Sequence, residues 1–341
     1  MIRASKLMRV LDGAAEPVPP IWLMRQAGRY LPEYRALRAQ AGSFWAMALT
    51  PKYAAQVTLQ PVRRFGFDAA ILFSDILTVP EALGQKVTFI EGEGPRLVPV
   101  TSAKGFDENR DHWANYFEPV YEALRLIKAQ LSGDTALLGF AGAPWTLATY
   151  LAAGVGGDEQ KAAKLWAYRD PQGFATLLDI LGECVAFHLI RQLDAGADAV
   201  QIFDSWASGL PEAAYSQLVV EPTRKVVQAV RAERPNAKII GFPRASTLAG
   251  YQLYATVTGV DAVGVDTAAP WSWMASFAKA IPLQGNLDPL ALIVGGAALD
   301  RAVDEILEAM AGKPHIFNLG HGILPETPIA HVEQLLKRIR G

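Results

Sequence analysis

Short apolar runs alternate with longer stretches of helical periodicity along this chain. The runs fall at residues 20–24, 69–73, 136–140, 199–203, 238–242, 262–265, 281–285 and 315–319. Runs this short and this apolar suit strands covered on both faces, as in a parallel sheet. Between them lie helix signals. Thr50-Pro51 predicts an N-cap followed by a proline in the first turn, with a pattern running to Phe65-Gly66. Asp170-Pro171 repeats the device, and its helix runs to Ala195-Gly196. Asp288-Pro289 and Thr327-Pro328 open two more, the last ending in Lys337-Arg338-Ile339-Arg340, cations suited to a C-terminal dipole.

Eight strands alternating with helices predict an α/β fold, a single-domain (β/α)8 TIM barrel over residues 1–341. A doubly wound open sheet is the alternative. The long interval after the second strand holds apolar residues at 86–90 and 96–100. They flank Glu91-Gly92-Glu93-Gly94-Pro95, which predicts an inserted β-hairpin. No low-complexity segment or linker divides the chain.

Composition narrows the function classes. Of the 341 residues 51% are hydrophobic and 19% charged, ample for a globular core. A net charge of −2 argues against general nucleic-acid binding. It leaves room for an anionic substrate, because a few arginines can focus positive potential in one cleft. The one cysteine, Cys184, excludes an intrachain disulfide framework and a multi-cysteine metal site. It reads as a small buried hydrophobe on a helix. Residues 1–20 lack a signal-peptide core, and the run at 69–73 is soon broken by Ser74-Asp75. No uninterrupted apolar run approaches membrane-span length. A soluble cytoplasmic protein with no membrane partner is expected.

In such a barrel the chemistry sits on loops after the strands' C-terminal ends. The polar residues there are Arg25 and Arg29, Ser74 and Asp75, then Trp145, Thr146 and Tyr150. Asp204, Ser205, Arg244, Asp266, Asn286, Asp288 and His321 follow. There is no Walker A loop and no His-Glu-x-x-His helix, and Gly320-x-Gly322 lacks the third glycine of a dinucleotide signal. The five histidines are scattered, and His188 falls inside a helix as a structural residue. A Ser205-His321-Asp75 triad can be drawn, but the spacing does not favour it over chance. On position alone Asp75 reads equally as a helix cap or as a functional carboxylate. Arg25 and Arg29 suit bidentate carboxylate binding, although surface ion pairing is the commoner fate of arginine. Their i, i+4 spacing fits one helical face, whereas Gly28 between them suggests a turn. Gly28 is read as letting backbone approach a ligand closely. Arg35 and Arg38 are weaker candidates for the same rim.

Two long motifs carry a family resemblance: PIWLMRQAGRYLPEY at residues 20–34 and GFAGAPWTLATY at residues 139–150. Segments 73–77, 202–206, 284–288 and 318–322 support them in order along nearly the whole chain. The chain resembles the uroporphyrinogen decarboxylases of haem biosynthesis. That resemblance implies one (β/α)8 domain, paired as a homodimer. It implies removal of the four acetate carboxyls of uroporphyrinogen to give coproporphyrinogen, with no cofactor and no metal. It places substrate contacts on Arg25, Gln26, Ala27, Gly28, Arg29, Asp75, Tyr150, Ser205 and His321, with Asp75 and Tyr150 catalytic. Some members carry histidine directly after the serine; this chain has Trp206. Related methyltransferases of the superfamily use zinc held by cysteines, a pattern Cys184 alone does not supply. Zinc- or corrinoid-linked methyl transfer and a non-catalytic tetrapyrrole carrier are the competing readings.

Overall fold

The computed structural model describes residues 4–90, 94–156 and 158–341. The strands are β1 (Ala69–Ile71), β2 (Thr88–Ile90), β3 (Gly94–Arg96), β4 (Ala136–Gly142), β5 (Ala199–Asp204), β6 (Ile239–Pro243), β7 (Ala262–Gly264), β8 (Leu283–Gln284) and β9 (His315–Ile316). Seven form one curled parallel sheet in the order β1-β4-β5-β6-β7-β8-β9. Their neighbours in the sheet are their neighbours in sequence, joined by segments that cross over through helices, as parallel pairing requires. The strands are buried almost throughout, which is why they read as continuous apolar runs.

Alternation along each strand splits the apolar residues into two cores. Leu137, Ala141, Val200, Ile202 and Val263 pack outward against helices. Ala136, Leu138, Ala199, Ile240, Phe242 and Ala262 point inward, where they meet Leu7, Val10 and Leu11 of the helix Lys6–Leu11. The inward residues that start strands are small: Ala69, Ala136, Ala199 and Ala262. They leave room for that helix to plug the N-terminal end of the sheet. An ion pair from Asp12, just after the helix, to Lys238, just before β6, fixes it there at 2.7 Å. The opposite end, where the strands point, is the open one.

The first predicted strand does not form a ladder. Residues 20–22 touch the sheet through one parallel bridge, Ile21 with Phe317. Phe317 N donates to Pro20 O at 2.9 Å, and on the other side Asp68 N donates to Ile21 O at 2.9 Å. Trp22 N donates to Phe317 O at 3.4 Å, and side chains take the other three donors. Ile21 N goes to Asp68 Oδ2, Leu23 N to Gln26 Oε1 and Met24 N to Asn318 Oδ1. Pro20 has no N–H to give.

After β1, Thr88–Ile90 pairs antiparallel with Gly94–Arg96. The predicted second arm at 96–100 is therefore displaced toward the N-terminus, and the expected turn at Glu91, Gly92 and Glu93 lies outside the described residues. Leu97 and Val100 bond elsewhere, to Gly154 O and Leu151 O at the end of the helix Pro144–Ala153.

Helix starts follow the sequence at Asp170 and Asp288, whose carboxylates accept Gly173 N and Leu290 N at 2.9 Å. Thr50 sits at its N-cap without a side-chain bond, and the last helix begins at Ile329 rather than at Pro328. The helix Pro171–Asp194 is long and apolar enough to cross a membrane, although Asp179 and Glu183 interrupt its apolar character. It is a core helix here, with Leu177, Leu181, Cys184, Val185 and Leu189 fully buried.

Candidate active site

The segment from Met24 to Tyr30 is a series of turns, not a helix. Arg25 adopts φ 63°, a left-handed conformation that costs an L-residue about 1 kcal/mol. The turn is held from both sides. Asn318 Oδ1 accepts Met24 N at 2.9 Å, and Ile323 N donates to Met24 O at 2.8 Å. The stem of Arg25 lies over Gly322, where a Cβ would stand 2.3 Å from Arg25 Cδ. His321 and Arg25 are thus fixed side by side by the same two loops.

Gln26 is fully buried, and both ends of its amide are engaged within the chain. Oε1 accepts Leu23 N, and Nε2 donates to Ala69 O at 3.1 Å. Gln26 thereby ties the loop to β1. At Gly28 a Cβ would meet Arg25 O at 2.9 Å, so the loop's own carbonyl already requires a glycine there. Ala27 is half-buried between them. Arg29 is exposed and its field falls on Tyr34. Arg35 donates to Arg29 O at 2.7 Å and to Tyr30 O, which occupies it in supporting the turn.

Asp75 follows β1. Its Oδ1 accepts Leu77 N at 2.8 Å, so the expected cap-like bond is present. Burial pushes the carboxyl up to about 6, against the pull of the Leu77 N–H and the Arg25 guanidinium. Tyr150 is half-buried on the helix Pro144–Ala153, and burial raises its hydroxyl above the usual range. Asp75 adds to that rise, while Trp206 and Arg25 oppose it. His321 is pushed down to about 4 by burial and by two cations, Arg244 and Arg25. It is neutral at pH 7, with one donor and one acceptor. Asp75, Tyr150 and His321 therefore share the field of Arg25.

Ser205 and Trp206 form a turn after β5, both half-buried. Phe140 and Phe203, near the ends of β4 and β5, stand edge to face with centroids 5.6 Å apart, and Phe203 meets Phe242 in the same way at 5.9 Å. They cap the inward core beneath the polar groups. The result is a mouth with an apolar floor, the Asp75 carboxylate and a cationic rim. It suits a large ligand with an apolar ring body and peripheral negative charge.

Arg244 was placed at the mouth by its position after the fifth strand but given no role; its field on His321 and Asp266 adds it to the cationic rim. Phe140 and Phe203 were hidden inside runs read only as strands. Their signal is the half-exposed aromatic at the end of an otherwise buried strand. Cys184 is fully buried in the core, and His188 stacks on Phe117 with Nδ1 3.1 Å from the Tyr121 hydroxyl. Neither belongs to the mouth's set. Among the described residues no three His, Cys, Asp or Glu side chains gather as a metal site.

Comparison with known proteins decides the family. The uroporphyrinogen decarboxylase (URO-D) family model matches residues 3–341. The uroporphyrinogen decarboxylase of Brucella anthropi is 52% identical over 336 residues, covering 98% of each chain. That of Chelativorans sp. is 51% identical over 337 residues with the same coverage. The chain belongs to the uroporphyrinogen decarboxylase family.

Among solved structures, a methyltransferase from Methanosarcina mazei superposes with a TM-score of 0.81 at 20% identity, covering 98% of this chain and 97% of its own. A B12-independent methionine synthase from Shewanella sp. gives 0.55 at 10% identity, covering 95% and 98%. These likenesses establish a shared fold. The uroporphyrinogen decarboxylase relationship rests on sequence over the full length, and every segment in which the resemblance was read lies inside the matched region.

Proposed function

We propose that this chain decarboxylates uroporphyrinogen to coproporphyrinogen without a cofactor, as the uroporphyrinogen decarboxylase of haem biosynthesis. The observation that carries the reading is the pairing of Asp75 with the Arg25–His321 rim over an aromatic floor. Loss of CO2 from an acetate arm needs an electron sink, which many decarboxylases borrow from a cofactor. A reduced tetrapyrrole supplies its own. Protonation of a pyrrole carbon makes a cationic, imine-like ring. The bond from the arm's CH2 to its carboxylate then breaks, CO2 leaves, and the electron pair flows into that ring. Protonation of the arm's methylene carbon yields a methyl group, and loss of the proton first added to the ring carbon restores the pyrrole.

Asp75 serves two tasks in this scheme. Ionised, it only accepts hydrogen bonds, and the converging pyrrole N–H groups are donors. It also puts negative charge where the ring cation develops. Arg25 and Arg29 bind peripheral carboxylates. Tyr150 directs its hydroxyl to the reacting arm or to Asp75. Ser205 and neutral His321 donate to outlying carboxylates. Gln26, Ala27 and Gly28 shape the loop that presents Arg25 and line the ligand with backbone.

The same reading treats residues 1–341 as one domain in which residues 20–23 complete a closed (β/α)8 barrel, supported by the bonds of residues 20–22 to both edges of the sheet. The antiparallel pair after β1 is then the inserted hairpin. A cytoplasmic homodimer accompanies the assignment, and sedimentation of purified protein checks the dimer. Anaerobic incubation of chelator-treated enzyme with uroporphyrinogen tests the function. Products with seven to four carboxyls are expected, and unchanged substrate contradicts the reading.

A further inference from the structure

Asp204 is fully buried at the end of β5, and one of its oxygens, Oδ2, has no hydrogen-bond partner. Such a carboxyl is costly to keep. Its other oxygen accepts the hydroxyl of Thr146, itself fully buried in the first turn of the helix Pro144–Ala153. A threonine hydroxyl has one proton. Spent on Asp204, it leaves a lone pair for Trp206 N, which donates to Thr146 Oγ1 at 3.2 Å. Trp145 Nε1 donates to Trp206 O at 2.8 Å. The turn after β5 is thereby pinned by both backbone groups of Trp206 to one helix. Four residues beyond Thr146 on that helix is Tyr150, and the Trp206 ring stands edge to face against it, centroids 6.3 Å apart.

We propose that Thr146, backed by Asp204, is a positioning residue: it holds the Ser205–Trp206 turn so that the Trp206 ring fixes Tyr150 in the mouth. The role rests on the decarboxylase reading for its consequence in turnover, but not for its geometry. Thr146 does not touch substrate. It acts through Trp206, so its effect depends on the Tyr150 hydroxyl being present.

The test is a double-mutant cycle on uroporphyrinogen with a structural arm. Thr146→Val keeps the shape and removes the hydroxyl; it lowers kcat about fivefold to tenfold, as expected for one hydrogen bond, with little change in KM. Thr146→Ser restores turnover to within about threefold of the parent. In a Tyr150→Phe background Thr146→Val costs less than about twofold. Equal losses in both backgrounds, or no loss in either, overturn the proposal. Should Thr146→Val fold poorly, Thr146→Ala, which also removes the hydroxyl, replaces it in the same cycle, with the same outcomes deciding. The structural arm is independent of activity. A crystal structure of the variant used is expected to show the Tyr150 ring displaced from its position in the parent. An unmoved ring overturns the proposal even if no form of the protein decarboxylates, whereas an inactive parent enzyme contradicts only the functional reading.

Discussion

Gly322 lies against the stem of Arg25, leaving no room for a side chain: an added Cβ would be 2.3 Å from Arg25 Cδ and 2.9 Å from its Nε. The backbone of Gly322 is not left-handed, so alanine strains nothing but that contact. Gly322→Ala therefore moves the guanidinium rather than unfolding the chain. The expected outcome is a KM for uroporphyrinogen raised about tenfold, the loss of one charge-assisted contact, with the thermal midpoint nearly unchanged. An unaltered KM would show that Arg25 does not bind substrate.

Asp75, held up to about 6, sets a pH dependence. The ionised form accepts the pyrrole N–H groups, so kcat/KM is expected to fall as pH drops through about 6. A profile flat down to pH 5 contradicts the assignment.

Stability runs the other way at this residue. The unfolded carboxyl titrates near its ordinary value of about 3.9. The folded protein holds the proton more tightly, so stability declines as pH rises from there through about 6 and stays lower above it. Asp75→Asn removes that penalty. It is expected to gain about 1–2 kcal/mol in urea unfolding at pH 7, while losing about a hundredfold or more in turnover. A less stable variant, or near-normal turnover, counts against the account.

His321 titrates at about 4, where burial and the two arginines hold it neutral. It cannot own an acid limb near pH 6. His321→Gln keeps a neutral donor and acceptor, so the limb is expected to stay in place in this variant. Disappearance of the limb would transfer it from Asp75 to His321.

Asn318 is fully buried and its Oδ1 serves two backbone donors, Met24 N and Leu319 N. Asn318→Ala strands both. The expected cost is about 2–4 kcal/mol by urea unfolding, together with a raised KM because the Arg25 turn loses its anchor. A loss below about 0.5 kcal/mol would show that the turn is held elsewhere.

Burial on both faces made the seven sheet strands legible, since each had to be an unbroken apolar run. The segment at residues 20–24 passed the same test and still lacks a ladder. Three of its donors are taken by the side chains of Asp68, Gln26 and Asn318, the last 294 positions away, and no local pattern reports such partners. The mouth residues Arg25, Asp75, Tyr150 and His321 were legible because chemistry sits where parallel strands end. The intrachain partners of Gln26 and Gly28, Ala69 O and the carbonyl of Arg25, were not legible, because they are set by the fold and not by the motif. Thr146 and Asp204 looked like separate mouth polars, and only their bond, across 58 positions, makes them one device.

The central claim is that this mouth uses Asp75 to let the substrate act as its own electron sink. Product analysis by chromatography of uroporphyrinogen incubated anaerobically with metal-free parent enzyme and with Asp75→Asn tests it most directly. The account predicts stepwise conversion to coproporphyrinogen by the parent and almost none by the folded variant. Full conversion by both, or none by the parent, would contradict it.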